Sequence, residues 1–169
     1  EDVGKYGCRA DDVAEGIDWA VTNHADVINL SIGGVAGFSL QQAAIERAQS
    51  AGIVVVAASG NNGAPGGDGG GDKLWYPAAY AGVIAVGATD SKGVRASYSN
   101  YGVSPEDPSR TLDLVAPGGD EDDLEWPFGI VQNTFNDFCS GIRPPAPVNY
   151  MEFASCGARG PSPAAPHVS

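Results

Sequence analysis

The stretch IVVVAASGNNG, residues 53–63, carries the clearest structural signal in this chain of 169 residues. It opens with β-branched residues, which favour an extended strand, and stays apolar through residue 58. The Ser-Gly-Asn-Asn-Gly that follows favours a turn, because Asn and Gly tolerate left-handed backbone conformations. The stretch therefore predicts a buried strand over residues 53–58 that ends in a turn.

The residues before this strand predict a helix, a strand and a second helix. Apolar residues recur at helical spacing over residues 11–24, and a short apolar run closed by two glycines follows at residues 27–32. Ser39 is a good N-cap for the next helix, which Gly52 should end. Near-continuous apolar strands that alternate with helices predict an α/β fold with a parallel sheet covered on both faces.

The residues after the turn predict one more strand, two short extended pieces and several loops. No repeat of fixed period and no domain boundary is evident, so we expect one unit over residues 1–169. The glycine-rich segment should be a mobile surface loop, and the acidic and proline-rich segments should be long loops. In order, the segments are the glycine-rich 64–73, the strand 82–90, the extended pieces 95–102 and 112–119, the acidic 118–129 and the proline-rich 140–150.

The charge balance excludes some partners. The chain has 21 acidic and 9 basic residues and a formal charge of −12, which argues against nucleic acids and anionic membranes. It contains no run of 18 apolar residues, so we expect no membrane span. The first residues, EDVGKYGCRADD, lack the features of a signal peptide, and we expect a mature or excised chain.

Three cysteines are too few for a disulfide scaffold and lack the close pairing of a metal site. We expect Cys139 to pair with Cys156 and Cys8 to be free. Three reduced thiols are the alternative.

Six segments taken together resemble, in order and spacing, the subtilisin-like serine proteases (subtilases, peptidase S8). They are DVINLSIGG, AGIVVVAASGNNG, YPAAYAGVIAVGATD, RASYSNYG, LDLVAPGG and the terminal PSPAAPHVS. The resemblance covers nearly the whole chain. It implies a doubly wound, mostly parallel sheet and endopeptidase chemistry by a Ser-His-Asp triad with an oxyanion hole.

The resemblance implies that Ser162 is the nucleophile and that Asn61 is the oxyanion-hole donor. The serine motif departs from the family pattern G-T-S-M, because prolines stand at positions 161 and 163. We expect Ser162 to be the N-cap of a helix, with its own N–H free for an oxyanion. For Asn61 the alternative is a plain turn residue, the role we expect for Asn62.

The resemblance also implies a substrate site. Ser31, Ile32 and Gly33 match the segment that pairs with an extended substrate backbone. Ala57, Ala58 and Gly60 match the wall of the pocket for the side chain that precedes the scissile bond. Such small residues would leave that pocket open to large apolar side chains. The simpler interpretation is that they let the strands pack closely, which does not exclude the pocket.

A weak structural cation site, for Ca²⁺ or Na⁺, is the remaining implied feature. Asp90 and the carbonyl oxygens of Ala78, Tyr80 and Val83 match a site found in parts of the family. The acidic run at residues 120–123 is a second candidate for Ca²⁺, although a solvated loop is the better interpretation. No organic cofactor is expected.

The Asp and His of the triad precede DVINLSIGG in the family, and this chain has no matching motifs. Its histidines, His24 and His167, align with positions that are not catalytic. We therefore expect an internal fragment of a secreted endopeptidase that acts on proteins or peptides. It would lack the Asp/His part and the C-terminal helices, and would be inactive without the missing remainder.

Two alternatives stay open. The chain could be an inactive peptide-binding module, or a truncated or misread segment. The second alternative rests on the altered serine motif and on FASCGARG, residues 153–160, which moves the serine motif away from the preceding strand.

Overall fold

The computed structural model describes residues 8–63, 70–120, 129–135 and 153–169. The predicted helices and strands over residues 11–24, 27–32, 39–52, 53–58 and 82–90 are confirmed, with small shifts at their ends. The elements in chain order are α1 Ala10–Thr22, β1 Val27–Leu30, α2 Ser39–Ser50, β2 Val54–Ala58, β3 Ile84–Thr89, β4 Leu114–Pro117, β5 Ile130–Phe135, β6 Phe153–Ala158, α3 Pro161–Ala164 and a 3₁₀ turn Ala165–His167.

Strands β1 to β4 form one sheet in the order β1-β2-β3-β4, and all three pairings are parallel. The register places Leu30 opposite Ala57 and Ala57 opposite Ala85. The predicted α/β fold with neighbouring parallel strands is thus confirmed.

Each face of this sheet has its own apolar core. Because side chains alternate along a strand, Val55 and Val56 of β2 point to opposite faces. Val55 belongs to the core that includes Ile17 of α1 and Ile45 of α2. Val56 belongs to a second core, in which Ala164 of α3 is fully buried. Helices therefore cover both faces, as the sequence predicted.

Strand β1 is less buried than its apolar sequence predicted. Val27 is 41% exposed, Asn29 is exposed and Ile28 is the buried residue of the strand. The reason is position: within the described part of the chain, β1 pairs with β2 alone and forms the edge of the sheet. The prediction of a fully buried strand is wrong for β1.

Of the two segments predicted to be extended, one forms a strand and the other does not. The segment 112–119 contains β4, as predicted. The segment 95–102 is mostly irregular, with a turn at residues 97–98 and a single bridge between Arg95 and Thr89, and its Ser99 and Asn100 are fully buried. Their side chains hydrogen-bond the backbone of neighbouring segments, since Ser99 Oγ accepts from Ala88 N at 2.9 Å. Beyond the bridge at Arg95 these contacts take the place of sheet pairing, so the prediction of an extended piece over the whole segment is wrong.

An antiparallel pair of strands, β5 and β6, was not predicted. Its register runs from Ile130 opposite Ala158 to Phe135 opposite Phe153, so Cys156 and Gly157 are regular strand residues. The residues FASCGARG are therefore mostly ordered sheet, which removes one reason for regarding the chain as misread. Residues 64–69, 121–128 and 136–152, which include most of the predicted loops, lie outside the described residues.

The cysteines agree with the expected pairing as far as the described residues go. Cys156 is disulfide-bonded and Cys8 is free and exposed. Cys139 lies outside the described residues. Among the helices described, none is long and apolar enough to cross a bilayer.

Tyr76 should make the stability of the fold depend on pH in the alkaline range. Its hydroxyl donates to Glu106 Oε1 at 2.9 Å, and its ring packs against that of Tyr80 at 4.7 Å. Burial, together with this hydrogen bond, raises the pKa of Tyr76 from 10.0 to about 12. The folded state therefore favours the neutral phenol.

We expect the stabilisation from neutral Tyr76 to be fully present below pH 10 and to be lost as the pH rises to about 12. The reason is that the unfolded chain releases the Tyr76 proton at a lower pH than the folded chain does. Urea unfolding across this pH range measures the loss. Tyr76→Phe should reduce it, and Tyr80, whose pKa burial also raises, should account for part of what remains. An identical pH profile in Tyr76→Phe would contradict the assignment.

Candidate active site

The parallel pairing of β1 and β2 brings two loops to one edge of the sheet. Because Leu30 lies opposite Ala57, the loop that begins at Ser31 and the turn that carries Asn61 leave the sheet side by side. The carboxyl-terminal edge of a parallel sheet is where α/β proteins usually bind ligands.

A glycine positions the third segment, which carries Ser162. Gly160 has φ 145° and ψ 167°, a conformation that is essentially restricted to glycine. Its N–H donates to the carbonyl oxygen of Gly118 at 3.1 Å, just after β4. Gly160 is thereby the N-cap of α3, and the chain turns there into the helix.

The expectation that Ser162 is the N-cap is wrong. Helix α3 begins at Pro161, because the fixed φ of proline suits the first helical position. Ser162 is the second helical residue. The N–H that Pro163 lacks at the third position would have no acceptor within the helix. Pro166 interrupts the α-helical bonding pattern, and the chain continues as a 3₁₀ turn.

Two reciprocal hydrogen bonds join Ser31 and Ser162. Ser162 Oγ donates to the Ser31 carbonyl oxygen at 2.9 Å, and Ser31 Oγ donates to the Ser162 carbonyl oxygen at 2.6 Å. Asn29 Nδ2 in turn donates to Ser31 Oγ at 2.9 Å. A peptide carbonyl does not act as a general base, so this contact holds the Ser162 hydroxyl without activating it.

The Asn61 side chain lies beside Ser162. A Cβ atom built on Gly160 would be 3.4 Å from Asn61 Oδ1 and 3.5 Å from the backbone nitrogen of Ser162. Both groups therefore border the same small space at the start of α3. The Asn61 side chain is exposed, and no other described residue hydrogen-bonds to it. The structure thus brings together Ser31, Asn61 and Ser162, as the sequence predicted.

Asn100 positions the turn that carries Asn61, and sequence reasoning missed this role. Its Oδ1 accepts from the Asn62 N–H at 2.7 Å, and its own N–H donates to the Gly60 carbonyl oxygen at 3.1 Å. The two residues that flank Asn61 are therefore both held by one fully buried side chain and its backbone. A single asparagine in a polar segment gives no sequence signal for such a contact.

Residues 31–33 border a cavity of about 330 Å³ whose walls also include Phe38, Tyr76 and Ser162. Gly34 pairs with Tyr76 through two backbone hydrogen bonds of 2.9 and 2.8 Å. Among the described residues, none hydrogen-bonds the backbone of Ile32 or Gly33. Their N–H and C=O groups are therefore available for an extended peptide.

The expected open pocket beside Gly60 is filled. A Cβ built on Gly60 would come within 2.8 Å of Cγ and Cδ2 of Trp75, and one on Gly33 would be 3.4 Å from Cε3 of Trp75. The indole thus occupies the space that small residues were expected to leave open. Ala57 and Ala58 are buried within the sheet, as the alternative of close strand packing requires.

The described residues do not fit the expected cation site. Asp90 follows the carboxyl end of β3 and Val83 precedes its amino end, which places them roughly 20 Å apart along the strand. Asp90 Oδ1 instead accepts from the N–H groups of Lys92 and Val94 in a turn. Across the described part of the chain, no group of three His, Cys, Asp or Glu residues could hold a metal ion.

Arg110 satisfies the carbonyl oxygens that a cation would need. Its guanidinium donates to the carbonyl oxygen of Ala78 at 2.7 Å and also to that of Val83. The same group lies 3.4 Å from Asp113 Oδ2. A fixed positive charge therefore stands where Ca²⁺ or Na⁺ was expected, among Ala78, Tyr80 and Val83.

The acidic run has a structural role at its first residue. Asp120 is buried, and its carboxylate accepts from the N–H and the hydroxyl of Ser97 at 2.5 and 2.9 Å. Neither a calcium ligand nor a solvated loop describes this residue. Residues 121–123 lie outside the described residues.

Neither histidine reaches Ser162. His24 is exposed just beyond the end of α1, where it adopts a φ of 59°. His167 is exposed in the 3₁₀ turn. In the described residues the Ser162 hydroxyl donates to Ser31 and to no imidazole.

Arg110→Ala should lower the free energy of unfolding by about 2–3 kcal/mol, because it removes charged hydrogen bonds from two backbone carbonyls. The variant should then gain stability from added Na⁺ or Ca²⁺, whereas the parent chain should not. Thermal unfolding with and without each cation measures both effects. Arg47→Ala is the control, since Arg47 pairs on the surface with Asp18. Equal stabilisation of the parent and Arg110→Ala would contradict the replacement.

Comparisons with known proteins agree with this geometry. The family model described as "Subtilase family" matches residues 3–169. The chain is 44% identical over 106 residues to the thermostable alkaline protease of Halalkalibacterium halodurans, a match that covers 63% of this chain and 26% of that protein. It is 44% identical over 106 residues to Subtilisin DY of Bacillus licheniformis, covering 63% of this chain and 35% of that protein.

A solved structure of a protease from Pseudoalteromonas arctica is similar with a TM-score of 0.75 and 32% identity. That match covers 98% of this chain and 45% of the other. The chain thus spans about a quarter to a third of the curated relatives and under half of this solved structure. The family match over nearly the whole sequence, on a parallel sheet with a serine at the start of a short helix, shows that the chain belongs to the subtilase family.

Proposed function

We propose that this chain supplies the nucleophile and part of the oxyanion hole of a serine endopeptidase that hydrolyses peptide bonds in proteins or peptides. Ser162 is the nucleophile and Asn61 is the oxyanion donor. The observation that carries the proposal is their position: both border one small space at the start of α3, next to the backbone of Ile32 and Gly33, which no other described residue hydrogen-bonds.

The substrate binds as an added strand. The backbone of Ile32 and Gly33 has no other partner among the described residues, and an extended peptide would pair with it. This pairing brings a peptide carbonyl to the start of α3. Ser31, Ile32 and Gly33 thereby set the register of the peptide, and the adjoining cavity of about 330 Å³ accepts side chains farther along it.

The chemistry requires Ser162 to leave its contact with the Ser31 carbonyl. Its Oγ then attacks the peptide carbonyl carbon, while a base takes the hydroxyl proton. Negative charge develops on the carbonyl oxygen. The Asn61 side-chain amide and the Ser162 backbone N–H, which lacks an intrahelical acceptor, are placed to stabilise that charge.

The base and the acid that orients it come from a part of the enzyme beyond this sequence. The positions of His24 and His167 support this, since both are exposed and neither bonds to Ser162. In this proposal the missing remainder of the catalytic domain is a partner of the site. An extracellular location is proposed as well, since the disulfide at Cys156 suits an oxidising compartment.

A second candidate function is an inactive peptide-binding module. The observation that favours it is the bond from Ser162 Oγ to the Ser31 carbonyl, which engages the hydroxyl without activating it. The substrate-binding backbone would be the same in this case, and only the chemistry would be absent.

The chain alone should not react at Ser162 with a fluorophosphonate probe, because no base reaches the hydroxyl. A hybrid in which this chain follows the part of the Halalkalibacterium halodurans protease that precedes the matched region should react with the probe and should hydrolyse peptides. Mass spectrometry locates the label, and Ser162→Ala should abolish it. Asn61→Ala should lower kcat/KM by about 10²–10³-fold, the loss seen when a subtilisin is deprived of its oxyanion asparagine.

The matched control is Asn23→Ala, which changes an exposed asparagine at the end of α1 and should leave kcat/KM unchanged. Labelling of the chain alone at Ser162, abolished by His167→Ala, would show that His167 is the base. A folded hybrid that binds peptides and never labels would favour the inactive binding module.

A further inference from the structure

Trp75 lies between the two segments that border the proposed substrate site. Its backbone N–H donates to the Ser59 carbonyl oxygen at 2.9 Å, just after β2. The next residue, Tyr76, pairs through its backbone with Gly34, just after β1. The backbone of Trp75 and Tyr76 is therefore fixed to both segments, and the position of the indole follows from that of the sheet edge.

Two glycines make room for the indole. The Cβ that Gly60 lacks would be 2.8 Å from Cγ and Cδ2 of the ring, closer than real Cβ atoms approach such groups. The Cβ that Gly33 lacks would be 3.4 Å from Cε3. Gly60 also has a φ of 119°, which side-chain-bearing residues rarely adopt. The ring therefore packs directly against the backbone of both segments.

Packing holds the indole in place. Trp75 Nε1 is buried and finds no acceptor among the described residues. A buried indole N–H usually has a partner, so the residue is retained here at a cost.

We propose that Trp75 determines specificity by filling the space for the side chain that precedes the scissile bond, so that only glycine or alanine fits there. This inference rests on the proposed function. A peptide whose carbonyl reaches Asn61 and Ser162, and whose backbone pairs with residues 31–33, directs that side chain between Gly33 and Gly60. The indole already occupies this space.

The same placement explains why the small residues of this site do not open a large pocket. The glycines accommodate a side chain of the protein itself. Trp75→Gly should therefore open a space that accepts an aromatic side chain, while Trp75→Phe, with a smaller aromatic ring and no N–H, should keep most of the space filled.

The test compares the binding of two peptides to this chain, N-acetyl-Ala-Ala-Pro-Ala and N-acetyl-Ala-Ala-Pro-Phe, by NMR titration. The parent chain should bind the alanine peptide about tenfold or more tighter. Trp75→Phe should keep this preference, and Trp75→Gly should reverse it. Added indole should restore the alanine preference of Trp75→Gly by refilling the space.

Circular dichroism shows whether the glycine variant folds, and Trp75→Leu replaces it if it does not. In Trp75→Leu the ratio of alanine-peptide to phenylalanine-peptide affinity should be smaller than in the parent chain but not reversed. Equal binding of the two peptides to the parent chain, or an unchanged ratio in the folded variants, would overturn the proposal. Absence of peptide binding to every folded variant would overturn it together with the proposed function. The ratio of the two peptide affinities could change as expected while the hybrid with the Halalkalibacterium halodurans segment never hydrolyses peptides. That result would support the role of Trp75 and refute the proposed endopeptidase activity.

Discussion

The parallel register of β1 and β2 is the constraint on which the site depends. With Leu30 opposite Ala57, the two strands end together, and the register places the segments that follow them side by side. A shift of two residues would separate Ser31 from the turn that carries Asn61. Apolar side chains on both faces of β2 fix that register, because Val55 and Val56 each belong to a different core.

The second core explains how a short helix holds Ser162 in place. Helix α3 spans Pro161–Ala164, too short to be stable alone, and Ala164 is buried against the sheet beside Val56 and Val86. Gly160 supplies the turn before it, and the reciprocal bonds between Ser31 and Ser162 connect the helix to the end of β1. The fold thus positions Ser162, the proposed nucleophile.

The sequence predicted what short-range patterns encode. Apolar runs located β1 to β3, and the resemblance placed Asn61 and Ser162 side by side. Contacts between distant residues were not predictable, because the same local sequence allows several partners. Arg110 on the carbonyl of Ala78, Trp75 against Gly60 and Asn100 on the flanks of Asn61 all depend on the folded arrangement. The failure of Asp90 as a ligand has the same origin, since residues close in sequence lie at opposite ends of β3.

NMR can measure whether Asn61 and the start of α3 form one site. In the isotopically labelled chain, nuclear Overhauser effects should connect the Asn61 side-chain amide protons with the α-protons of Gly160 and the amide proton of Ser162. These contacts should persist in Ser162→Ala, because the backbone sets them. If they are absent while the β1–β2 contacts of Leu30 with Ala57 are present, the sheet forms without assembling the site, and the account is wrong.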